Sequence, residues 1–168
     1  IKKKDISKPR KNRIHCMTIE ERILQLGVSL PEAPKPVATY VPACLAGDLL
    51  FVSGVLPVQN GTLALTGKLG QELHVEQGYE AAQVAVLNAL AIVRQELGTL
   101  DRVRRVVRMT GHVASASGFS EQPAVINGAS DFLVKLFGEK GRHARLALGA
   151  AELPLQAPIE LELIFQVS

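Results

Sequence analysis

The chain has 168 residues, of which 47% are hydrophobic and 21% are charged, and this balance suits one globular domain with a single core. No run of eighteen apolar residues occurs, so we expect no membrane-spanning helix, and the 4% aromatic content argues against stacking platforms for single-stranded nucleic acid. The formal net charge of +3 is unevenly distributed, because residues 1–16 hold seven basic side chains and one acidic one. We therefore predict a basic, disordered extension over 1–16 and a single, net negative domain over 17–168.

The two cysteines, Cys16 and Cys44, form neither a disulfide framework nor a metal-binding spacing. Their scarcity is typical of the reducing cytoplasm, where we expect this chain to act. Cys44 falls in a predicted strand, where a buried and unreactive thiol is favoured over a nucleophile. His112 and His143 have no Ser or carboxylate partner at a recognisable spacing, so the sequence predicts neither a catalytic triad nor a metal site.

Hydrophobic periodicity and turn residues predict a short N-terminal helix, then a proline-rich connector over 30–36, and then a series of strands and longer helices. Thr18 and Glu21 have the spacing of a capping box at the start of that first helix. The predicted elements are, in chain order, a helix over 18–26, a strand over 39–46 that Pro42 interrupts, a strand over 49–53, a short strand over 63–65, a helix over 76–97, a strand over 103–114, a helix capped by Ser120 and ended by Gly138, and strands over 144–150 and 158–167. This order predicts an α+β fold in which one sheet carries two long helices on one face.

Charged side chains interrupt the apolar pattern of the last two predicted strands, and two of them, Arg145 and Glu160, are candidates for a functional role. Alternation puts Leu146 and Leu148 on one face, which we expect to meet the helices, and Arg145 on the other. In the last strand Glu160 lies away from the apolar residues, so Arg145 and Glu160 are predicted to share one side of the sheet. An arginine fork suits a carboxylate ligand, and a carboxylate partly withdrawn from water can act as a general base. The same charges also fit an ion pair or a protected sheet edge, and the pattern leaves these alternatives open.

A longer motif surrounds these charges. The stretch 145–154 reads RLALGAAELP and is followed at 159–162 by IELE. Together with the segment 40–54 and with Asn127 in the second long helix, these stretches resemble the signature of the reactive-intermediate deaminase (Rid/YjgF) family. The resemblance extends over residues 36–167.

The resemblance implies a chorismate-mutase-like fold and a homotrimer whose sheets line a central barrel, with a cleft between neighbouring subunits. It implies hydrolysis of small enamine and imine intermediates, such as 2-aminoacrylate and 2-iminopropanoate, to 2-oxo acids and ammonia, with no metal or organic cofactor. In that case Arg145 holds the substrate carboxylate, and Glu160 positions or activates water. The matching positions that line the cleft are Tyr40, Ser53, Gly54, Asn127 and Ala147.

Three positions depart from the pattern of the family's deaminases. His143 stands where a proline is common, Leu146 where a small polar residue is common, and Ala147 where a cysteine is common. These departures leave the substrate open, so two other functions stay under consideration. A non-catalytic trimer could bind a small carboxylate metabolite through Arg145. The second of these functions is that of an RNA-acting protein, and the negative charge of 17–168 and the few aromatic residues argue against it.

Overall fold

The computed structural model describes residues 17–34 and 39–168. The predicted basic extension and residues 35–38 lie outside the described residues. The helices and strands are α1 (Ile19–Gln25), β1 (Ala43–Ala46), β2 (Leu49–Val55), β3 (Val58–Gln59), β4 (Thr62–Leu63), α2 (Val75–Leu97), β5 (Val103–Ala114), α3 (Gln122–Phe137), β6 (Ala144–Ala150) and β7 (Ile159–Val167).

Five strands form one mixed sheet in the order β1-β2-β7-β5-β6. Neighbouring strands are antiparallel except for β5 and β6, which run parallel. A parallel pair requires a crossover connection, and α3 provides it. Strands β3 and β4 form a separate two-stranded ribbon. The predicted α+β class is confirmed.

The core lies between one face of the sheet and the helices α2 and α3. Every second residue of β7, from Ile159 to Val167, is buried on this face, and each such side chain contributes roughly 1.5–3 kcal/mol relative to exposure. Gly128 allows the two helices to touch, because a Cβ there would overlap the carbonyl oxygen of Tyr79. The prediction of two long helices on one face is confirmed. We call the other surface of the sheet the open face, since no helix of the described residues covers it.

The short helix α1 begins with the predicted capping box. Thr18 Oγ1 accepts from the Glu21 backbone N–H at 3.1 Å, and the Glu21 carboxylate accepts from the Thr18 N–H at 2.8 Å. Asp101 ties this helix to the rest of the chain by accepting from the Ile19 N–H at 2.6 Å. Ile23 is buried, so α1 adds an apolar residue to the core.

Several predicted element boundaries are wrong, and three of them have consequences for the fold. Strand β1 begins only at Ala43, because Pro42 has no N–H to donate to a ladder. The predicted short strand begins one residue earlier, at Thr62, and pairs with β3, which the sequence did not predict. Ser120 does not cap α3: the cap position is Glu121, which makes no side-chain capping bond.

The predicted orientation of β6 is also wrong. Leu146 and Leu148 are 41% and 44% exposed and lie on the open face, whereas Ala147 packs against the core. Ala147 is paired in register with Gly111, and a Cβ on Gly111 would collide with the side chain of Ile126 on α3. Because α3 lies this close to the sheet at Gly111, the position of Ala147 on the helix side of β6 has room only for a small side chain, and the leucines take the other face.

Candidate functional site

The two charged residues that were predicted to act together lie on opposite faces of the sheet. Arg145 is paired in register with Met109, which is fully buried on the helix side, and Glu160 is paired with His112 on the open face. Directly paired residues point to the same face. The prediction that Arg145 and Glu160 share one side is therefore wrong within one chain. The other predicted residues divide in the same way: Asn127 and Ala147 lie with Arg145, and Tyr40, Ser53 and Gly54 lie with Glu160.

We call the first group the anchor site, defined by Asn127, Ser130, His143 and Arg145. Arg145 Nη1 donates to Asn127 Oδ1 at 2.8 Å and to Ser130 Oγ at 3.1 Å. These bonds use both hydrogens of Nη1. Nε and Nη2 have no partner among the described residues, and the side chain is exposed. Their N–H groups are parallel donors on one guanidinium edge, which is the arrangement that binds a carboxylate through two hydrogen bonds.

His143 completes the anchor site from the chain that leads into β6. Its Nδ1 lies 2.6 Å from Gly141 O, and its Nε2 lies 3.1 Å from Ser130 Oγ. Burial lowers the pKa of His143 from its ordinary value; the hydrogen bond to Gly141 opposes this and the charge of Arg145 adds to it. The imidazole is therefore uncharged at neutral pH. The sequence assigned no role to His143 or Ser130, although Ser130 follows Asn127 by one helical turn and shares its face.

Glu160 belongs to the second group, which lies in an open cleft of about 890 Å³. Glu162 lies two residues further along the same face of β7 and also lines the cleft. No lining residue among those described is basic, so carboxylates dominate the charge of this region. We call it the glutamate cleft, with the polar residues Tyr40, Ser53, Glu160 and Glu162 and with Gly54.

Gly54 determines where the Glu160 carboxylate lies. Strand β2 bulges at Ser53 and Gly54, where three residue steps of β2 match two of β7. The Ser53 N–H donates to Pro42 O at 2.9 Å and its hydroxyl donates to Val41 O at 2.7 Å, which holds the bulge against the chain that leads into β1. A Cβ on Gly54 would overlap Glu160 Oε1. Glycine at this position therefore lets the carboxylate lie directly against the backbone.

The loop between β6 and β7 forms another wall of the glutamate cleft. Leu155 and Gln156 have φ angles of 57° and 60°, in the left-handed region that non-glycine residues rarely adopt. Leu155 is 74% exposed and lines the cleft. The Gly67 N–H donates to Gln156 O at 3.0 Å and holds the loop in place. With Phe51 and Leu56, Leu155 makes this wall apolar, which suits a ligand with an apolar body.

Cys44 also lines the glutamate cleft and is exposed, so the prediction of a buried thiol is wrong. Over 17–34 and 39–168, no group of three or more His, Cys, Asp or Glu side chains is placed to hold a metal ion. In the same part of the chain, no helix combines the length and hydropathy that crossing a bilayer requires.

A family model described as "YjgF/chorismate_mutase-like, putative endoribonuclease" matches residues 20–166. The match extends over most of the chain and contains both the anchor site and the glutamate cleft. This chain belongs to the Rid/YjgF family, and the resemblance seen in the motif over 145–154 is confirmed.

Individual relatives agree over nearly their full length. Protein TCP17 of Trypanosoma cruzi is 40% identical over 151 residues, which cover 89% of this chain and 94% of that protein. The protein Atu1372 of Agrobacterium tumefaciens, of unknown function, is 44% identical, with a TM-score of 0.83 over 89% of this chain and 92% of that one. A "putative endoribonuclease" of Shewanella oneidensis is 34% identical, with a TM-score of 0.86 over 89% and 99%. These relatives support the fold and the family of this chain. Their names do not give its substrate, which is inferred from the geometry of the site.

Proposed function

We propose that this chain hydrolyses small imine or enamine intermediates that carry a carboxylate, releasing the 2-oxo acid and ammonia. The observation that carries the proposal is the free edge of Arg145: Asn127 and Ser130 occupy Nη1, while Nε and Nη2 remain available and exposed. A guanidinium held in this way binds a planar carboxylate through two parallel hydrogen bonds. Imines and enamines of 2-oxo acids carry that carboxylate next to the reacting carbon, and the motif over 145–154 resembles the family signature although Leu146 and Ala147 depart from the deaminases.

Glu160 is the general base of the proposed reaction. Its carboxylate takes a proton from water while the water oxygen bonds to the C=N carbon and the π electrons move to the nitrogen. The carboxylic acid so formed gives that proton to the nitrogen, which restores the carboxylate. The carboxylate then transfers the proton of the new hydroxyl to the nitrogen, the C–N bond breaks, and ammonia and the 2-oxo acid leave. An enamine enters this sequence after it has tautomerised to the imine, its carbon gaining a proton from water and its nitrogen losing one to water. An imine is already electrophilic, so orientation and one acid–base group are sufficient.

Two copies of the chain contribute to each site in this proposal, because Arg145 and Glu160 lie on opposite faces of one sheet. On the open face, Phe51, Leu146 and Leu148 are 39%, 41% and 44% exposed, and burial of such side chains favours association. We propose a homotrimer whose sheets line a central barrel, with Arg145 of one copy facing Glu160 of the next. Light scattering should then give three times the chain mass of 18.1 kDa, and a monomer at assay concentration contradicts this assembly.

The compartment we propose is the cytoplasm. Cys44 is an exposed, free thiol, and such a thiol persists in a reducing compartment. Fractionation of cells with an antibody to the native protein tests this location, and recovery from an oxidising compartment contradicts it.

The activity test generates 2-aminoacrylate or 2-iminobutanoate with a separate dehydratase and follows formation of the 2-oxo acid. The protein should accelerate hydrolysis above the uncatalysed rate. Arg145→Ala should lose the acceleration and remain folded, because Arg145 is exposed. Arg104→Ala is the matched control, since Arg104 is an exposed arginine on β5 outside both sites. A folded, assembled protein without acceleration rules out the hydrolysis, and full activity in Arg145→Ala rules out the mechanism.

Two other functions predict different experimental results. A non-catalytic binder of carboxylate metabolites binds a 2-oxo acid saturably, loses that binding in Arg145→Ala, and shows no turnover. The family description and the Shewanella relative refer to endoribonucleases, and Arg104, Arg105 and Arg108 are exposed on β5. RNA cleavage that persists after removal of residues 1–16 and repurification, and that disappears when these three arginines are replaced, would favour the RNA-acting alternative.

A further inference from the structure

The anchor site contains two side chains, Ser130 and His143, that the proposed chemistry does not use. They form a continuous line of hydrogen bonds from the backbone to the guanidinium. Gly141 O lies 2.6 Å from His143 Nδ1, His143 Nε2 lies 3.1 Å from Ser130 Oγ, and Ser130 Oγ lies 3.1 Å from Arg145 Nη1. Both Ser130 and His143 are half-buried, so water does not readily replace these partners.

The direction of each bond in this line follows from its two ends. A carbonyl oxygen only accepts, so His143 Nδ1 carries a hydrogen and donates it to Gly141 O. A guanidinium only donates, so Ser130 Oγ accepts from Arg145 Nη1. In a neutral imidazole with hydrogen on Nδ1, Nε2 is an acceptor, and the Ser130 hydroxyl donates its hydrogen there. Burial and the charge of Arg145 both lower the pKa of His143, which keeps the ring in this neutral form.

This arrangement determines which edge of Arg145 is offered to a ligand. Ser130 and Asn127 together satisfy both hydrogens of Nη1, so the guanidinium is oriented by two bonds rather than by one. We propose that Ser130 and His143 are positioning residues: the imidazole orients the serine hydroxyl, and the hydroxyl fixes Arg145 so that its Nε–Nη2 edge faces the carboxylate. The neutral ring also leaves Arg145 as the one positive charge of the anchor site, which matches a monocarboxylate. The inference rests on the proposed function, because it assigns these residues a part in holding that carboxylate.

The first test measures binding of 2-oxobutanoate to the full chain by calorimetry. Ser130→Ala and His143→Ala should each weaken binding by roughly tenfold, because each leaves one Nη1 hydrogen without an oriented acceptor. The double variant should bind about as well as the weaker single variant, since the two residues act through one bond. Ser130→Thr keeps the hydroxyl and should bind within about threefold of the wild type. Ser117→Ala is the matched control, because Ser117 is an exposed serine in the loop before α3 and is not one of the anchor-site residues.

A purely structural role gives a different result. Ser130→Ala and His143→Ala would then lower the thermal midpoint of unfolding and leave the affinity for 2-oxobutanoate unchanged, which overturns the inference. The inference is also overturned when the double variant loses as much binding free energy for 2-oxobutanoate as the two single variants together. When Arg145→Ala abolishes binding and both Ser130→Ala and His143→Ala bind like the wild type, the inference fails and the proposed function survives. When wild type and Arg145→Ala bind equally, the proposed function itself fails.

A second measurement does not depend on any ligand, and its main readout is made on the wild-type chain. Nitrogen-15 NMR of the imidazole distinguishes the two neutral tautomers and the protonated ring. His143 should be neutral at pH 7 with its hydrogen on Nδ1, and Ser130→Ala should shift the Nε2 resonance because its donor is lost. A hydrogen on Nε2, or a protonated ring at neutral pH, contradicts the inferred direction of the bonds.

Discussion

The anchor site and the glutamate cleft are positioned in different ways. The anchor site is fixed by side chains: Arg145 is held by two acceptors on α3, and one of these is oriented by His143. The glutamate cleft is shaped by the backbone, through the bulge at Gly54 and the left-handed loop at Leu155. The anchor site orients a charged side chain, whereas the glutamate cleft provides space for a ligand. They should therefore fail differently when mutated, the first through affinity and the second through turnover.

The largest expected effects come from the two central residues themselves. Arg145→Lys replaces a planar guanidinium, which can bind a carboxylate through two hydrogen bonds, by a compact ammonium group. This change should raise the dissociation constant for 2-oxobutanoate by about a hundredfold. Glu160→Gln removes the proposed base and should lower kcat by roughly 10²-fold to 10⁴-fold while that dissociation constant changes less than about threefold. Steady-state rates and calorimetry separate the two effects. Loss of binding in Glu160→Gln with intact turnover in Arg145→Lys reverses the assignment of roles.

Mixing inactive chains tests whether the two regions meet between copies. Arg145→Ala and Glu160→Gln chains are denatured, combined in equal amounts and refolded together. Random assembly brings an intact Arg145 against an intact Glu160 in about one quarter of the interfaces, so about a quarter of wild-type activity should return. Each variant refolded alone is the control. If the mixture stays inactive although mixed oligomers are detected, the two regions do not share a substrate.

A smaller change at Gly54 should affect the cleft alone. Gly54→Ala places a Cβ where Glu160 Oε1 lies, so the carboxylate must move away from the backbone. We expect kcat to fall by about tenfold with little effect on 2-oxobutanoate affinity, because misplacement of a catalytic group by about 1 Å is costly. The double variant Gly54→Ala/Glu160→Ala controls for stability, since it removes the side chain that the methyl group displaces. A weakened affinity with unchanged kcat contradicts the separation of the two regions.

The smallest expected effect is the pH dependence of the anchor site. The pKa of His143 is lower in the folded chain than its ordinary value of about 6.5. Below that pH the unfolded chain takes up the proton first, so the free energy of unfolding should fall as pH decreases from about 6.5 through the folded pKa. Urea unfolding between about pH 7.5 and 5 measures this slope. His143→Gln should flatten it, and an identical slope in that variant excludes His143 as its source.

The sequence predicted elements and core better than it predicted the site. Alternation in β7 gave the buried face and the orientation of Glu160, because five apolar residues leave one way to face the core. It failed in β6, where Leu146 and Leu148 read as core residues. Which residues of the edge strand β6 face the helices depends on how closely α3 approaches Gly111 on the neighbouring strand β5. That distance is set by tertiary packing and leaves no pattern in the sequence of β6. Residues that touch through tertiary packing, such as Ser130 and Arg145, are fifteen positions apart and share no local pattern.

The loop at Leu155 and Gln156 has a cost that the rest of the fold must offset. Each left-handed non-glycine residue is unfavourable by roughly 1–2 kcal/mol, against a total of about 5–15 kcal/mol for a domain of ordinary stability. Glycine at either position would relieve that cost and would also loosen the apolar wall of the cleft. Thermal robustness and a well-formed cleft are thus opposed at two adjacent residues, and selection for heat resistance alone should alter them before it alters the core.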